Sequence, residues 1–294
     1  IRNLRWPIPS LDEQRAIAAY LDRETERIDT LIEKKERLID LLEEKRTALI
    51  SRVVTKGLDA DVEMQDSGVE WLGEIPTHWD CYPIKRVTES ICDGPFGSNM
   101  KSKHYADEGI RIIRLQNIDM ARFDDSDVAF VDEEHYQSLN GHDAAAGDLI
   151  IAGLGDTNNP VGRACLVPRH IEEAMVKADC FRIRLDESRL QHRFVMWFLA
   201  SKPARAEVQD KIRGATRDRI NLTGTSMLRM PVPPVNEQDA ISNHIAKATG
   251  RIDDLVDRIE DAIERLNEYR TALISAAVTG QIDVRQEIET NAKT

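Results

Sequence analysis

Two long stretches of the chain alternate apolar and polar residues with the period of an amphipathic helix. In both stretches one position recurs every seven residues, and it is apolar everywhere except at Lys35. The recurring positions are Leu21, Ile28, Lys35, Leu42 and Leu49 in the first stretch, and Ile245, Ile252, Ile259, Leu266 and Leu273 in the second. A heptad spacing sustained over four or five heptads is typical of a coiled coil, so each helix is expected to have a helical partner.

The two stretches are copies of one another. Residues 4–59 align with residues 228–283 without a gap, and 26 of the 56 aligned positions are identical. Each copy begins with a proline-containing extended segment, and the helical pattern follows. In the first copy Ser10 and Glu13 have the spacing of a capping box, which predicts that the helix begins there.

The order of the segments predicts how the two helices pair. Residues 11–55 and 236–279 are expected to form helices roughly 60 Å long at 1.5 Å per residue. One helix enters the segment between them and the other leaves it, and the ends of a compact domain usually lie close together. An antiparallel coiled coil is therefore predicted, with amphipathic helices lying on a globular body as the alternative. The helix-pairing residues are Ile28, Leu42, Leu49, Ile252, Ile259, Leu266 and Leu273.

The segment between the helices has a different pattern. Strand-like apolar runs at 110–118, 148–152, 162–167 and 180–185 are separated by turn residues, and a helical stretch follows near 190–212. The expected fold class is α+β, with a mixed α/β domain and two long helices paired as an antiparallel coiled coil. The predicted divisions are 1–56, the first extended entry and helix; 57–227, the mixed domain; and 228–294, the second entry and helix.

Composition adds the expectation of a cytoplasmic protein. The 294 residues are 41% hydrophobic and 31% charged, and no apolar run approaches membrane-spanning length. The chain begins without a methionine or a signal peptide, so we expect it to start partway into a longer protein. The four cysteines show neither metal-ligand spacing nor the setting of a disulfide framework, which favours reduced thiols.

The charge is unevenly distributed along the chain. The net charge is −12, and residues 119–148 hold nine acidic residues against Arg122 alone, a local net charge of −8. Residues 201–230 hold seven basic residues against three acidic ones, a local net charge of +4. An acidic chain with a basic stretch is compatible with DNA binding when the acidic residues face elsewhere.

Motifs of catalysis are absent from the sequence. It contains no Gly-Lys-Ser/Thr phosphate loop, no His-Glu-x-x-His and no Gly-x-Ser-x-Gly. Residues 93–96, Asp-Gly-Pro-Phe, differ from the tetrapeptide of amino-methyltransferases at the second position. No glycine-rich strand–turn–helix precedes them to hold a methyl donor, so they are interpreted as a turn. These absences favour a binding protein over an enzyme.

An ordered set of short motifs resembles a known family. They are Gly-Val-Glu-Trp-Leu-Gly-Glu-Ile-Pro-Thr-His-Trp at 68–79, Asp-Gly-Pro-Phe-Gly-Ser at 93–98, Ile-Arg-Leu-Gln-Asn-Ile at 113–118, Gly-Asp-Leu-Ile at 147–150, and Gly-Ala-Thr at 214–216. Together they resemble the target-recognition domain of the specificity subunits of type I restriction–modification systems. The prolines at 231–234 with Glu237 and Gln238 resemble the start of that family's spacer helix.

The resemblance implies a DNA-binding subunit without a catalytic site. Such a subunit reads one half of a bipartite site in double-stranded DNA with each recognition domain. Its two helices set the distance between half-sites and dock methylation subunits, and through them restriction subunits. S-adenosylmethionine, ATP and Mg²⁺ belong to those partner subunits, so no cofactor is expected in this chain. Complete family members have two recognition domains, each followed by a spacer helix, and the first domain is missing here.

Candidate DNA contacts are polar residues in or beside the motifs, because guanidinium, ammonium and amide groups contact phosphates and base edges. Asp218 lies between two of the arginines, so it is expected to compete for them. The candidates are Arg213, Arg217, Arg219 and Asn221 near the basic stretch, Lys101 and Lys103 after the glycine-containing loop, and Arg114, Gln116 and Asn117 at a strand end.

Three other functions remain open at this point. The first is a half-length specificity protein that forms a homodimer to read a symmetric site. The second is a coiled-coil interaction module that binds protein and not DNA. A methyltransferase is the third, and the absent donor-binding motif counts against it. Binding to random duplex DNA separates the first two.

Overall fold

The computed structural model describes residues 8–212 and 218–284. The chain divides into two compact units: residues 1–45 together with 249–294, and residues 46–248. Both division points fall within the two long helices, so each helix contributes to both units. The sequence-based divisions instead fall at 56/57, where the first long helix ends, and at 227/228, where the second repeat copy begins.

The described residues contain six α-helices and seventeen short strands. The helices are α1 (Leu11–Lys56), α2 (Glu133–Ser138), α3 (His192–Leu199), α4 (Lys202–Lys211), α5 (Leu222–Ser226) and α6 (Val235–Val278). The strands are β1 (Met64–Asp66), β2 (Glu74–Pro76), β3 (Asp80–Pro83), β4 (Thr88–Cys92), β5 (Tyr105–Ala106), β6 (Ile110–Ile113), β7 (Ile118–Asp119), β8 (Arg122–Phe123), β9 (Phe130–Val131), β10 (Asp143–Ala144), β11 (Leu149–Ala152), β12 (Leu154–Gly155), β13 (Ala164–Leu166), β14 (Ala174–Val176), β15 (Cys180–Leu185), β16 (Asp218–Arg219) and β17 (Arg229–Val232).

The first unit is built from the first part of α1 and the last part of α6. Tyr20 and Ile28 of α1 pack with Leu273 and Ala277 of α6 in one buried cluster. Asp29 and Arg270 join the two helices through an ion pair of 3.0 Å. Early residues of one helix thus meet late residues of the other, which confirms the antiparallel pairing expected from the order of the segments.

The start of α1 has the cap that its sequence predicts. The backbone N–H of Ser10 donates to Glu13 Oε2 at 3.0 Å, and the N–H of Glu13 donates to Ser10 Oγ at 3.3 Å. This reciprocal arrangement satisfies amide groups that have no partner within the first turn of a helix. The expected capping box is confirmed.

The seven predicted helix-pairing residues lie in two different environments. Leu266 packs beside Ile28 and Leu273 in the buried cluster of the first unit. Ile252 is also buried, whereas Leu42 and Ile259 are half-buried. Leu49 lies in the second unit, where it packs against that unit's core instead. The heptad row therefore packs between the helices at Ile28, Leu266 and Leu273 and against the core of the second unit at Leu49.

The second unit is the mixed domain with the adjoining ends of the helices. A five-stranded sheet has the order β10–β14–β6–β9–β5, in which only β14 and β6 run parallel. An antiparallel four-stranded sheet has the order β13–β11–β15–β4. All four residues of β11 are buried. Such a continuous apolar run is what a strand covered on both faces requires.

The last turns of α1 and the first turns of α6 complete the core of this unit. Val54 and Ile245 lie in the same cluster as Trp79 and the apolar face of α3. At the start of α6, Glu237 accepts hydrogen bonds from Trp79 Nε1 at 3.0 Å and from His78 Nε2 at 2.7 Å. The segment 68–79 is therefore the part of the domain that holds the second helix.

Two predicted elements differ in the structure. The run 110–118 is broken after β6 by a 3₁₀ turn, because the Asn117 side chain accepts a hydrogen bond from the Arg114 N–H at 2.9 Å and closes the turn. The helical stretch near 190–212 is two helices, α3 and α4. Ser201 separates them, and its hydroxyl caps α4 by accepting from the Ala204 N–H.

The four cysteines are free thiols, all in the second unit. Cys165 and Cys180 are completely buried in a cluster with Ile150 and Val176. Desolvation raises the pKa of Cys165 to about 12 and also raises the pKa of Cys180. Burial raises the pKa of the half-buried Cys81 and Cys92 as well. All four are thus held as neutral thiols at physiological pH.

Candidate nucleic-acid interface

Four chain segments meet at one edge of the mixed domain. The Asp93 loop follows β4, Gly153 joins β11 to β12, Asp179 precedes β15, and Arg219 belongs to β16. The Gly153 N–H donates to the Asp179 carbonyl at 2.7 Å, and the Asp179 N–H donates to Asp93 Oδ1 at 2.8 Å. β16 pairs with β12, and in this pair Leu154 lies opposite Arg219. Most of the partners are backbone groups, so the segments are held in a fixed arrangement.

Two glycines in this arrangement leave no space for a side chain. A Cβ atom at Gly94 would lie 2.1 Å from the Lys177 carbonyl carbon, and one at Gly153 would lie 2.3 Å from the Phe181 ring. Glycine permits the close approach of backbone to backbone in the first case and of backbone to ring in the second. Both glycines therefore allow close packing of the chain.

Arg219 lies on the surface of this edge. Its Nη2 donates to Asp179 Oδ1 at 2.6 Å, and its guanidinium carbon lies 5.9 Å from the centre of the Phe96 ring. Arg219 and Phe96 are each about half exposed, at 49% and 48%. The expectation that Asp218 competes for the neighbouring arginine is wrong for Arg219, because adjacent residues of a strand point to opposite faces. The carboxylate that binds Arg219 is forty residues away in the sequence.

Asp93 lies beneath this surface, and its pKa is raised. Its carboxylate accepts from the N–H groups of Gly94 and Asp179, which lower its pKa, but burial has the larger effect. Asp179 also raises the pKa of Asp93, and Arg219 lowers it. The result is a pKa raised from 3.8 to about 6.

The turn that holds Arg114, Gln116 and Asn117 lies beside a cleft of about 540 Å³. Gln116 is exposed and lines this cleft together with Leu154, Asp156 and Asn159. The Asn117 side chain is completely buried, and its amide donates to the carbonyl oxygens of Asp124 and Asp127.

Arg114 is a largely buried partner of the Asp127 carboxylate. Of the three residues of the turn, only Gln116 presents its side chain to solvent. The groups proposed to contact DNA at Arg114 and Asn117 are used within the protein, because the burial of polar groups requires such partners. Their prediction as DNA contacts is not supported by this placement.

Arg163 holds the walls of the cleft together, and sequence reasoning missed it. Its side chain is buried, and it donates to the carbonyl oxygens of Leu115 and Ile118 on one side and of Leu154, Asn159 and Pro160 on the other. The signal in the sequence is an arginine within the apolar run 162–167. A guanidinium has five donors in a fixed plane, which suits it to joining several loops.

Lys101 and Lys103 are exposed on the loop that continues from Phe96. In this loop His104 Nδ1 accepts from the Lys101 N–H at 3.2 Å, and the His104 and His135 rings stack with centres 3.7 Å apart. Phe96 touches Arg219 at the other end of the same loop. The two lysines therefore lie on the chain segment that begins at Phe96, the residue whose ring flanks Arg219.

The remaining candidates lie in or near the basic stretch. Asn221 caps α5, where its Oδ1 accepts from the Gly224 N–H at 2.7 Å. Arg213 and Arg217 lie outside the described residues. Among the described residues of the basic stretch 201–230, Arg219 is the exposed cation at this edge of the mixed domain.

The described ranges 8–212 and 218–284 contain neither a metal-binding cluster nor a membrane-spanning helix. No group of three or more histidine, cysteine, aspartate or glutamate side chains in them is arranged to hold a metal ion. No helix in the same ranges has both the length and the apolar character needed to cross a bilayer.

Comparison with known proteins gives relatives of one kind. The type I restriction enzyme MjaVIII specificity subunit of Methanocaldococcus jannaschii is 22% identical over 287 residues, which cover 96% of this chain and 63% of that protein. The EcoKI specificity subunit of Escherichia coli K12 is 24% identical over 211 residues, covering 71% and 44%. The chain thus spans about half to two thirds of the length of these relatives. No protein-family model matches.

Two solved structures share the fold. One is described as the structural basis of complex assembly and conformational transition of the type I R-M system, and it superposes with a TM-score of 0.71 at 17% identity. It matches over 94% of this chain and 62% of the other. The HsdS subunit of Thermoanaerobacter tengcongensis superposes with a TM-score of 0.54 at 17% identity, covering 94% and 60%. The expected α+β fold with two paired long helices is confirmed. The chain is similar in sequence to type I restriction enzyme specificity subunits, as its sequence motifs indicate.

Proposed function

We propose that this chain recognises DNA as part of a type I restriction–modification complex. The observation that carries the proposal is sequence similarity to specificity subunits along 96% of the chain, combined with an edge of the mixed domain that presents Arg219, Phe96 and Gln116 to solvent. Arginine and glutamine are side chains that contact base edges with two hydrogen bonds. A rigid scaffold that displays such groups on short loops suits sequence recognition.

The chain reads one half of a bipartite site. It contains one mixed domain, whereas the curated relatives extend well beyond the length it matches. One domain with one exposed recognition edge contacts one continuous stretch of base pairs. The paired helices act as the spacer between this half-site and the other.

The same helices dock methylation subunits, and restriction subunits join through them. Exposed apolar residues on the described helices support this role, because leucines at such positions are available to a partner. They are Leu31, Leu38, Leu41 and Leu255, each 41–46% exposed. The chain itself is non-catalytic, and S-adenosylmethionine, ATP and Mg²⁺ are bound by the partner subunits.

Direct binding measurements test this function. Purified full chain is titrated into fluorescent duplexes of random sequence at several salt concentrations, and the bound duplexes are amplified and sequenced. We expect salt-dependent binding and enrichment of one short motif. Absence of DNA binding even at low salt, with the helices still intact, would favour the coiled-coil interaction module instead.

A homodimer that reads a symmetric site is the second candidate. It is favoured by the different surroundings of equivalent residues in the two repeat copies. Ile8, before α1, is 84% exposed, whereas its equivalent Val232, before α6, is 8% exposed and pairs through β17 with β3 of the mixed domain. A second copy of the chain would supply a mixed domain to the start of α1. Light scattering at several concentrations distinguishes a monomer from this dimer.

A further inference from the structure

Arg219 is a cation whose charge is balanced before any DNA is present. Its Nη2 donates to Asp179 Oδ1 at 2.6 Å. Asp179 is 16% exposed, so its carboxylate lies near solvent but mostly within the protein surface. The Phe96 ring, 5.9 Å from the guanidinium carbon, flanks the same group. The guanidinium is thus held by one charged partner and one aromatic partner.

The carboxylate that holds Arg219 is itself fixed in place. Asp179 has a backbone φ of 65°, its N–H donates to Asp93 Oδ1, and its carbonyl accepts from the Gly153 N–H. Aspartate and asparagine are among the residues that tolerate this left-handed conformation. The backbone of Asp179 is therefore fixed by contacts that do not involve Arg219.

The pairing has opposite effects on the two kinds of DNA contact. A phosphate attracts a free cation, and an arginine already paired with a carboxylate offers it little net charge. A guanine edge is neutral and accepts two hydrogen bonds from an arginine. Because only one of the guanidinium's five donors is engaged by Asp179, enough donors remain for a base.

We propose that Asp179 is a specificity-determining residue, which pairs with Arg219 so that this arginine reads a guanine edge and contributes little to non-specific phosphate binding. The inference rests on the proposed function and adds to it the residue that separates specific from non-specific binding at this edge. Asp179 acts through Arg219, which is the side chain that touches DNA. The Phe96 ring flanks the guanidinium at 5.9 Å from its carbon.

The test compares Asp179→Asn with the parent chain. Asparagine keeps the left-handed backbone and the size of the side chain but removes the negative charge. We expect Asp179→Asn to bind a pool of random 40-base-pair duplexes more tightly at low salt. The slope of log affinity against log salt should become steeper by about one, the value for one additional phosphate contact.

The second readout is base preference. Selection from the same random pool, followed by sequencing, should give a motif for the parent in which at least one position requires guanine. In Asp179→Asn this preference should fall, by as much as the roughly 5- to 150-fold discrimination of one bidentate contact. Arg219→Lys retains the charge without the planar donors, so it should lose the guanine preference and keep non-specific binding.

Asp210→Asn is the matched control. Asp210, which is 72% exposed, pairs with Lys211 at 2.6 Å. Replacing Asp210 with asparagine therefore removes the same charge from another ion pair of the domain. It should leave both the base preference and the salt slope close to those of the parent. Circular dichroism and thermal unfolding verify that each variant is folded.

The outcomes separate the two proposals. If the parent binds DNA and selects a motif, but Asp179→Asn changes neither the salt slope nor any base preference, the inference is overturned and the proposed function stands. Equal changes in Asp179→Asn and Asp210→Asn also overturn it, because the effect is then one of total charge. If the parent does not bind the duplex pool, both proposals fall.

Discussion

At the scale of single residues, Arg163 shows how a buried charge can organise a surface. Its hydrogen-bond partners among the described residues are not carboxylates but carbonyl oxygens of three loops. Desolvation lowers the pKa of the guanidinium below its usual value. The cost of burying this charge is offset by hydrogen bonds that position Gln116 and Leu154 at the cleft.

Replacement of Arg163 should therefore destabilise the mixed domain. Arg163→Met keeps much of the volume but leaves several carbonyl groups without a donor, and we expect the free energy of unfolding to fall by about 3 kcal/mol. Urea unfolding followed by circular dichroism measures the change. Arg122→Met is the control, because Arg122 is 74% exposed, and it should change stability by less than about 0.5 kcal/mol. Equal losses in the two variants would contradict this role of Arg163.

Asp93 makes stability depend on pH. Its pKa is raised in the folded chain from 3.8 to about 6, chiefly by burial, with Asp179 and Arg219 as the neighbouring charges. Between these two pH values the folded chain binds a proton that the unfolded chain has released. The group therefore favours folding at low pH, and this contribution is lost as pH rises through about 6.

Asp93→Asn should remove that dependence, because the amide oxygen still accepts from the same two N–H groups and carries no charge. Relative to the parent, the variant should gain stability as pH rises from 4 to 7. Thermal unfolding at pH 4, 5, 6 and 7 measures the difference. Glu70→Gln removes an exposed carboxylate and should show no such trend. A constant difference between Asp93→Asn and the parent would refute the prediction.

At the scale of elements, the paired helices combine buried and exposed apolar positions. Leu273 is buried at 5% exposure beside Ile28, whereas Leu255 is 46% exposed. Leu273→Ala should lower the free energy of unfolding by about 2–5 kcal/mol, the range for truncating a buried leucine. Leu255→Ala should change it by less than about 0.5 kcal/mol. Urea unfolding compares them, and similar losses would mean that the heptad row does not carry the pairing.

The elements also show how far a sequence pattern predicts structure. The heptad spacing predicted both long helices, because a pattern sustained over four or five heptads is a strong signal. The expected bounds, 11–55 and 236–279, agree with those of α1 and α6 to within one residue at each end. The pattern of the run 110–118 did not predict the break that follows β6. This break depends on the Asn117 side chain, whose partners at Asp124 and Asp127 are brought close only by the fold.

The candidate site was less predictable than the helices. Its loops were identified by their glycines and motifs, but the carboxylate expected to compete for the neighbouring arginines was Asp218. The true partner, Asp179, comes close because β16 pairs with β12 and Gly153 binds the Asp179 carbonyl. Arg163 was missed because its position inside an apolar run does not reveal its partners, which are carbonyl groups that only the fold brings together. Long-range pairing of this kind has no local signature in one sequence.

At the scale of the whole molecule, an internal repeat places identical residues in unlike surroundings. Gln14 and Gln238 are equivalent, yet Gln14 is exposed and donates to the nearby Pro9 carbonyl. Gln238 is completely buried and bonds to the backbone of three residues. Its partners are the Gln191 N–H and the carbonyl oxygens of Arg189 and Pro233. The second copy has thus adapted the same residue to a structural role.

Alanine substitutions at the two glutamines should reveal this difference. Gln238→Ala leaves buried backbone groups without partners, so we expect a loss of about 2–3 kcal/mol in the free energy of unfolding. Gln14→Ala should cost less than about 0.5 kcal/mol. The comparison is well controlled because the residue type and its position in the helix are the same. Equal effects would show that the repeat position itself, and not the surroundings, determines the contribution.

The distribution of thiols has a consequence for measuring the chain's motions. All four cysteines lie in the unit of residues 46–248, and their raised pKa values leave little of the reactive thiolate in the folded state. A thiol-specific reagent should therefore modify Cys165 and Cys180 only when the surrounding sheet opens. Opening of the paired helices alone exposes no thiol. The rate of alkylation, followed by mass spectrometry, thus reports the opening free energy of the mixed domain separately from that of the helices.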